Sequence, residues 1–305
     1  MSESDTGDQQ PDEHAERLTF AIGNILQLTV NEFMLMAQLE AFSFFKPMPA
    51  NIDVRDGSDL YRKLEELGER LGGPPSLIYR GEGEPTPKFD TYVDAAIHEA
   101  ITTFGRARTA VCRAQIYLTG SYFIRRNPEC MNLPDDPEIR RILIDQTAHT
   151  FWEHAETAYI RLASHWDRVG QILDFAFFNI RQFDRDGFAA VVERVHTNVI
   201  PVNDALGGSE SWKGLRRYQT SEQPDGLKWL LRRRNLLVHS LHLSPQSEPT
   251  SDDPIFQSAY NHLDAATRDK LKTGTPSEEL HLMHTHLSAA AELFSEAVNV
   301  ALLAR

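Results

Sequence analysis

Only two of the 305 residues are cysteine, Cys112 and Cys130. That is too few for a disulfide scaffold, so a reduced, cytoplasmic protein is the expectation. Cations are also scarce: 31 Lys and Arg stand against 44 Asp and Glu, a net charge of −13. A phosphate chain would be repelled by most of such a surface, which excludes general nucleic-acid binding and confines any anion site to a local basic patch. No uninterrupted run approaches the ~18 apolar residues of a membrane span. The first residues are acidic and polar, unlike a secretory signal, so no membrane partner is expected. Alternating strand patterns of useful length and repeats of fixed period are absent as well. What remains is ordinary for a globular chain, with 41% hydrophobic and 25% charged residues.

Helical spacing fills most of the length. Residues 1–16, with six acids and neither Lys nor Arg, read as a flexible tail. From Leu18 the series Ile22, Ile25, Thr29, Phe33, Met36, Leu39 steps by three and four until Pro47 and Pro49 end it. A short helix is expected over Ser58 to Leu71. Val93, Ile97, Ala100, Phe104, Ala107, Val111, Ala114 and Leu118 then alternate four and three, the mark of a narrow stripe against a partner helix. A second such seam runs through Trp152, Ala155, Tyr159, Leu162, Trp166, Val169, Leu173, Ala176 and Ile180. A helix over Glu138 to Arg181 would reach about 65 Å, so a bend or break is expected in it. Shorter helices follow at Gly187 to Val199 and Gln223 to Leu243, separated by a polar stretch around Pro201, Gly207 and Gly208. Thr275-Pro276-Ser277-Glu278 opens a last helix with the seam Leu280, Met283, Leu287, Ala290, Phe294, Ala297, Ala301. The expected fold is all-α, a long-helix bundle forming a single domain over 17–305, with N-terminal helices at 17–130 and a helical core at 138–305.

One helix departs from the usual pattern. Leu227, Trp229, Leu230, Leu231, Leu236, Leu237, Val238, Leu241 and Leu243 cover most of its circumference. At about 100° per residue, Lys228, Arg232, Asn235, His239 and His242 share one polar seam about 80° wide, flanked by Arg233 and Arg234. Residues 213–234 carry seven cations against two acids, a net +5 inside an acidic chain. A histidine-lined seam beside concentrated cations suits an anion. The alternative is that these arginines pair with acids of the long helix, such as Asp167 and Asp174.

Arg234-Asn235-Leu236-Leu237-Val238-His239 resembles the R-N-x-x-x-H signature of the HEPN superfamily of α-helical bundle proteins, as do the apolar flanks and the long preceding helix. The resemblance spans about Glu138 to Arg305 and is closest to the larger, stand-alone members. It implies a metal-independent, cofactor-free endoribonuclease working as a homodimer, with the motifs of two subunits meeting in a basic cleft. It assigns catalysis to Arg234, Asn235 and His239; the polar seam and its flanks, outside the family pattern, offer Lys228, Arg232, Arg233 and His242 to bind RNA or a nucleotide. The chemistry suits these residue types. An imidazole titrating near neutrality can move the 2′-hydroxyl or leaving-group proton, and a guanidinium can stabilise charge on the phosphorane. Asn235, one turn before His239, would orient the imidazole or bind phosphate. Members of the superfamily often add an acid or amide from the long helix, for which Asp167, Gln171 and Asp174 are the candidates here. A non-catalytic HEPN module binding a nucleotide, nucleic acid or protein is the alternative.

Other groupings carry less. His281, His284 and His286 do not share one helical face. His149, Glu153 and His154 lack the H-E-x-x-H spacing and read as a polar face. Trp152 and Trp166 fall on the seam and read as core, Cys112 as an inert thiol. Trp212, beside the basic stretch, reads as core in preference to a platform for a base.

Overall fold

The computed structural model describes residues 10–41, 48–72, 92–127, 136–180, 187–239 and 273–304. Among them there is no strand, and the fold is an all-α bundle. The helices are α1 (Gln10–Ala41), α2 (Asp59–Gly72), α3 (Tyr92–Arg126), α4 (Pro137–Phe178), α5 (Phe188–Asn198), α6 (Asp204–Gly208), α7 (Glu210–Thr220), α8 (Leu227–His239) and α9 (Pro276–Leu302), with a 3₁₀ turn at Ile200–Val202. The chain forms two compact units, Met1–Met48 and Pro49–Arg305, where the sequence suggested one domain from residue 17.

In the first unit α1 begins at Gln10, inside the segment expected to be a flexible tail. Its large apolar side chains are exposed, Phe20, Leu28 and Phe33 most of all. Within Ala15–Gln38 an 18-residue window reaches a mean hydropathy of 1.2, enough by length and composition to cross a membrane. No apolar run within it is long, because Thr19, the pair Gly23-Asn24, Gln27, Thr29 and the pair Asn31-Glu32 divide it.

The second unit is organised by α3 against α4. Every seam residue of α3 from Val93 to Leu118, and of α4 from Trp152 to Ala176, is buried. α4 is one helix of 42 residues with no break, about 63 Å long at 1.5 Å per residue. Its ends explain its persistence. Asp136 caps the start, its side chain accepting from the amides of Glu138 at 2.8 Å and Ile139 at 3.4 Å, with Pro137 in the first position. Asn179 stops it in the left-handed region at φ 53°, donating its amide to the Phe175 carbonyl. α9 lies across both long helices. Thr275 and Glu278 form the capping box at its start: the Thr275 amide donates to Glu278 Oε2 at 2.7 Å, and the Glu278 amide to Thr275 Oγ1 at 3.3 Å.

Two helices, α6 and α7, replace the stretch that read as polar. α7 buries only Trp212, Leu215, Tyr218 and Gln219. That i, i+3, i+6 spacing is a helix signal too sparse to stand out beside Gly207, Gly208 and Gly214. α5 crosses α4 at Gly170, where an added Cβ would lie 2.8 Å from Phe188 Cα and 2.9 Å from its amide nitrogen. Only glycine lets these helices approach so closely.

Three histidines sit in the core. His165 donates from Nδ1 to the Ala100 carbonyl at 3.0 Å, since a carbonyl can only accept, and so joins α4 to α3. His284 Nε2 meets Gln115 Oε1 at 2.8 Å. The His286 ring stacks on Trp229 at 5.4 Å and approaches the Tyr218 hydroxyl at 3.3 Å. Burial pushes all three imidazoles down to about 4. They are neutral when folded, while the unfolded chain takes up protons below about 6.5. Stability from this source is therefore complete above pH 6.5 and lost as pH falls toward 4. Urea denaturation should show a loss of several kcal/mol, at about 1.4 kcal/mol per pKa unit per imidazole, with proton uptake on unfolding at pH 5. A flat stability profile between pH 7 and 5 would contradict this.

Candidate functional site

The site begins with the orientation of α8. The helix starts at Leu227 and not at Gln223, because Pro224 and Asp225 lie in a preceding turn closed by the Gly226 amide on the Gln223 carbonyl at 2.8 Å. About a third of its circumference is inward, through Leu227, Leu230 and Arg233. The outer half is more open than a nearly all-apolar wheel suggested, and Val238 is 51% exposed.

Arg233, expected to face a substrate, is buried instead. Its guanidinium forms an ion pair with fully buried Glu279 at the start of α9. The Glu279 carboxylate also accepts from the Tyr159 hydroxyl at 2.6 Å and from the Gly274 amide at 2.9 Å. The guanidinium carbon lies 5.1 Å from the Trp229 ring centre and 5.7 Å from that of Tyr159. Burial, followed by the charge of Glu279, raises the Tyr159 phenol well above its ordinary value. Nothing in the sequence signals this cluster, because a second acid in the first turn of α9 reads as a complement to the helix dipole.

With Arg233 inward, Arg234 and Asn235 lie about 100° and 200° further round the helix. Both line a cleft of about 320 Å³ between α8, α4 and the start of α5. Trp166 and Asp167 come from α4, Gly187 to Ala190 from the start of α5, and Leu227 and Leu231 from α8. Arg234 Nη2 stands 3.6 Å from Asp167 Oδ2, with each side chain about one-third exposed. Asn235 is exposed.

Asp167 has a second task. Gly187, the N-cap of α5, provides no side-chain cap, and the Asp167 carboxylate takes a hydrogen bond from the Phe188 amide. A Cβ on Gly187 would lie 2.7 Å from Asp167 Oδ1. Asp167 thus caps α5 from a neighbouring helix while facing Arg234. Burial raises its pKa, opposed first by Arg234 and then by that amide bond. Of the other acid or amide candidates, Asp174 pairs with Arg194 and Gln171 accepts from Arg168 at 3.2 Å. Only Asp167 lines the cleft with Arg234.

The remaining residues lie on the outer face of α8. Lys228 and Arg232 share Glu222, at 3.0 and 3.3 Å, and those hydrogen bonds lower its carboxyl pKa. His239 is the last described residue of α8, about 40° round from Asn235 and between Lys228 and Arg232 in angular position. His242 lies outside the described residues. The basic stretch is locally neutralised, for Lys213 meets Glu210 at 2.7 Å and Arg216 pairs with Glu193. Trp212 is buried and stacks on His196 at 6.3 Å, as a core residue. His149 pairs with Glu153 at 3.4 Å on an exposed face, and Cys112 is buried. Among the described residues no three His, Cys, Asp or Glu side chains are grouped to hold a metal ion.

Compared with known proteins, the chain gives no significant match to a family model, a curated protein or a solved structure.

Two substitutions test this geometry. Glu279→Ala leaves Arg233 buried without a counter-charge and should cost about 3–5 kcal/mol in urea denaturation; a loss below 1 kcal/mol would mean that the pair does not hold α8. Asp167→Asn removes a carboxylate whose ionised form is disfavoured by folding. Its stability relative to wild type should be most favourable near pH 7, and the difference should close as pH falls through the carboxylate range. A gap that widens in acid would contradict the assignment.

Proposed function

We propose that the α4–α5–α8 cleft binds RNA and that Arg234, Asn235 and His239 cleave it without a metal ion, as in catalytic members of the HEPN superfamily. The observation that carries this reading is that Arg234 and Asn235, adjacent in a six-residue motif, both line one open cleft. His239 follows one turn after Asn235 on α8.

The chemistry uses each group once. His239 takes the proton of the 2′-hydroxyl, whose oxygen attacks the neighbouring phosphorus. The bond to the 5′-oxygen breaks, and that oxygen leaves with a proton returned by the imidazolium or by water. The products are a 2′,3′-cyclic phosphate and a 5′-hydroxyl. Arg234 stabilises the added negative charge on the phosphorane, and Asn235 orients the imidazole or a phosphate oxygen. Asp167 acts through Arg234 by holding the guanidinium at the cleft. Lys228 and Arg232 supply cations along the outer face, and a second copy set against that face would double them in a homodimer.

A non-catalytic reading is favoured by one observation: Lys228, Arg232 and Arg234 already face carboxylates. In that reading the cleft holds a nucleotide or RNA without cutting it.

One experiment separates the two. A pool of labelled RNAs is incubated in EDTA with wild type, His239→Ala and Arg234→Ala. Cleavage to cyclic-phosphate ends is expected, falling by about 10²–10⁴ in His239→Ala and about 10²–10³ in Arg234→Ala. Full activity in His239→Ala, or cleavage that strictly requires added metal, overturns the enzyme reading. Binding without cutting, abolished in Arg234→Ala, supports the second.

A further inference from the structure

α1 has only a narrow polar strip, in which Asn24, Gln27, Asn31 and Gln38 fall within about 60° at about 100° per residue. Ten large apolar residues between Leu18 and Leu35 are exposed, and at about 100° per residue they leave no arc wider than about 60° uncovered. Seen from Leu18, Ile22, Phe33, Leu26, Val30, Met34, Phe20, Leu35, Leu28 and Ile25 follow one another around the whole circumference. A helix of a soluble bundle buries one stripe, and a two-stranded coiled coil buries about two positions in seven. Either partner would leave most of these side chains in water. A surrounding of hydrocarbon covers all of them.

Length and polarity agree with that solvent. Leu18 to Gln38 spans about 32 Å at 1.5 Å per residue, close to the ~30 Å hydrocarbon thickness of a bilayer. Within it Glu32 is the only charged residue. The uncharged polar groups are partly satisfied inside the helix, as lipid requires. Gln27 Nε2 donates to Asn31 Oδ1 at 2.9 Å, and Thr29 Oγ1 to the Ile25 carbonyl at 2.9 Å. Other charges flank the segment: Glu16 and Arg17 before it, Glu40 and Lys46 after it. A secretory signal opens with cations, whereas the sixteen residues before Arg17 contain six acids and none.

We propose that Leu18–Gln38 spans a phospholipid bilayer as a retained anchor, tethering the unit Pro49–Arg305 to a membrane surface. The occupant of the exposed apolar surface is acyl chain, and the expectation of a protein without a membrane partner is replaced.

The test uses the full chain and vesicles of pure phosphatidylcholine, which offer no surface charge. Wild type should float with the vesicles in 1 M salt and resist extraction at alkaline pH, and the intact mass should still include residues 1–48. Leu26→Lys with Phe33→Lys places two charges in the segment and should reduce flotation at least tenfold. The thermal melt of the Pro49–Arg305 unit should not change. Release of wild type by salt or alkali, loss of the N-terminal residues by cleavage, or a soluble dimer or monomer that ignores vesicles would each overturn the anchor.

Discussion

A guanidinium removed from water needs a carboxylate, and in this bundle the pairing of Arg233 with Glu279 decides which way α8 faces. Glu279 is itself held by the Tyr159 hydroxyl and the Gly274 amide, so three segments of chain converge on one carboxylate. Rolling α8 by a single residue would carry Arg233 away and leave Glu279 buried without its counter-charge, which is among the costliest errors a fold can make. The pair therefore acts less as a source of net stability than as a choice of rotational setting. Arg234 and Asn235 reach the cleft because Arg233 cannot.

The same logic governs the long helices. α3 and α4 meet along four-three seams that are buried from Val93 to Leu118 and from Trp152 to Ala176, and α5 is pressed against α4 at Gly170. Asp167 sits where these arrangements intersect, capping α5 and facing Arg234. The cleft is thus a by-product of packing, bounded on one side by a helix start and on another by an ion pair.

Much of this was legible beforehand. Seams such as Val93–Leu118 and Trp152–Ala176 declare themselves because spacing of three and four is a property of the backbone, and caps such as Thr275 and Glu278 are local. The cleft was legible only in part. Arg234 and Asn235 were found from a short motif, and Asp167 appeared among three acid or amide candidates that only the structure separates. Arg233 was misplaced because a run of three arginines does not reveal which one turns inward. That depends on Glu279, 46 positions away. The apolar content of α1 does not show as a run, because Thr19, Asn24, Gln27, Thr29 and Asn31 interrupt it.

Gly170 has a consequence for how this chain can diverge. Gly105 and Gly120 have open space where a side chain would go, and Gly170 has the backbone of Phe188. Descendants can accumulate changes at the first two with little effect. At position 170 even one methyl must displace the first turn of α5, and with it Gly187 and the edge of the cleft. Helix crossing and cleft shape are therefore inherited together, and no graded path of small replacements leads from one arrangement to another.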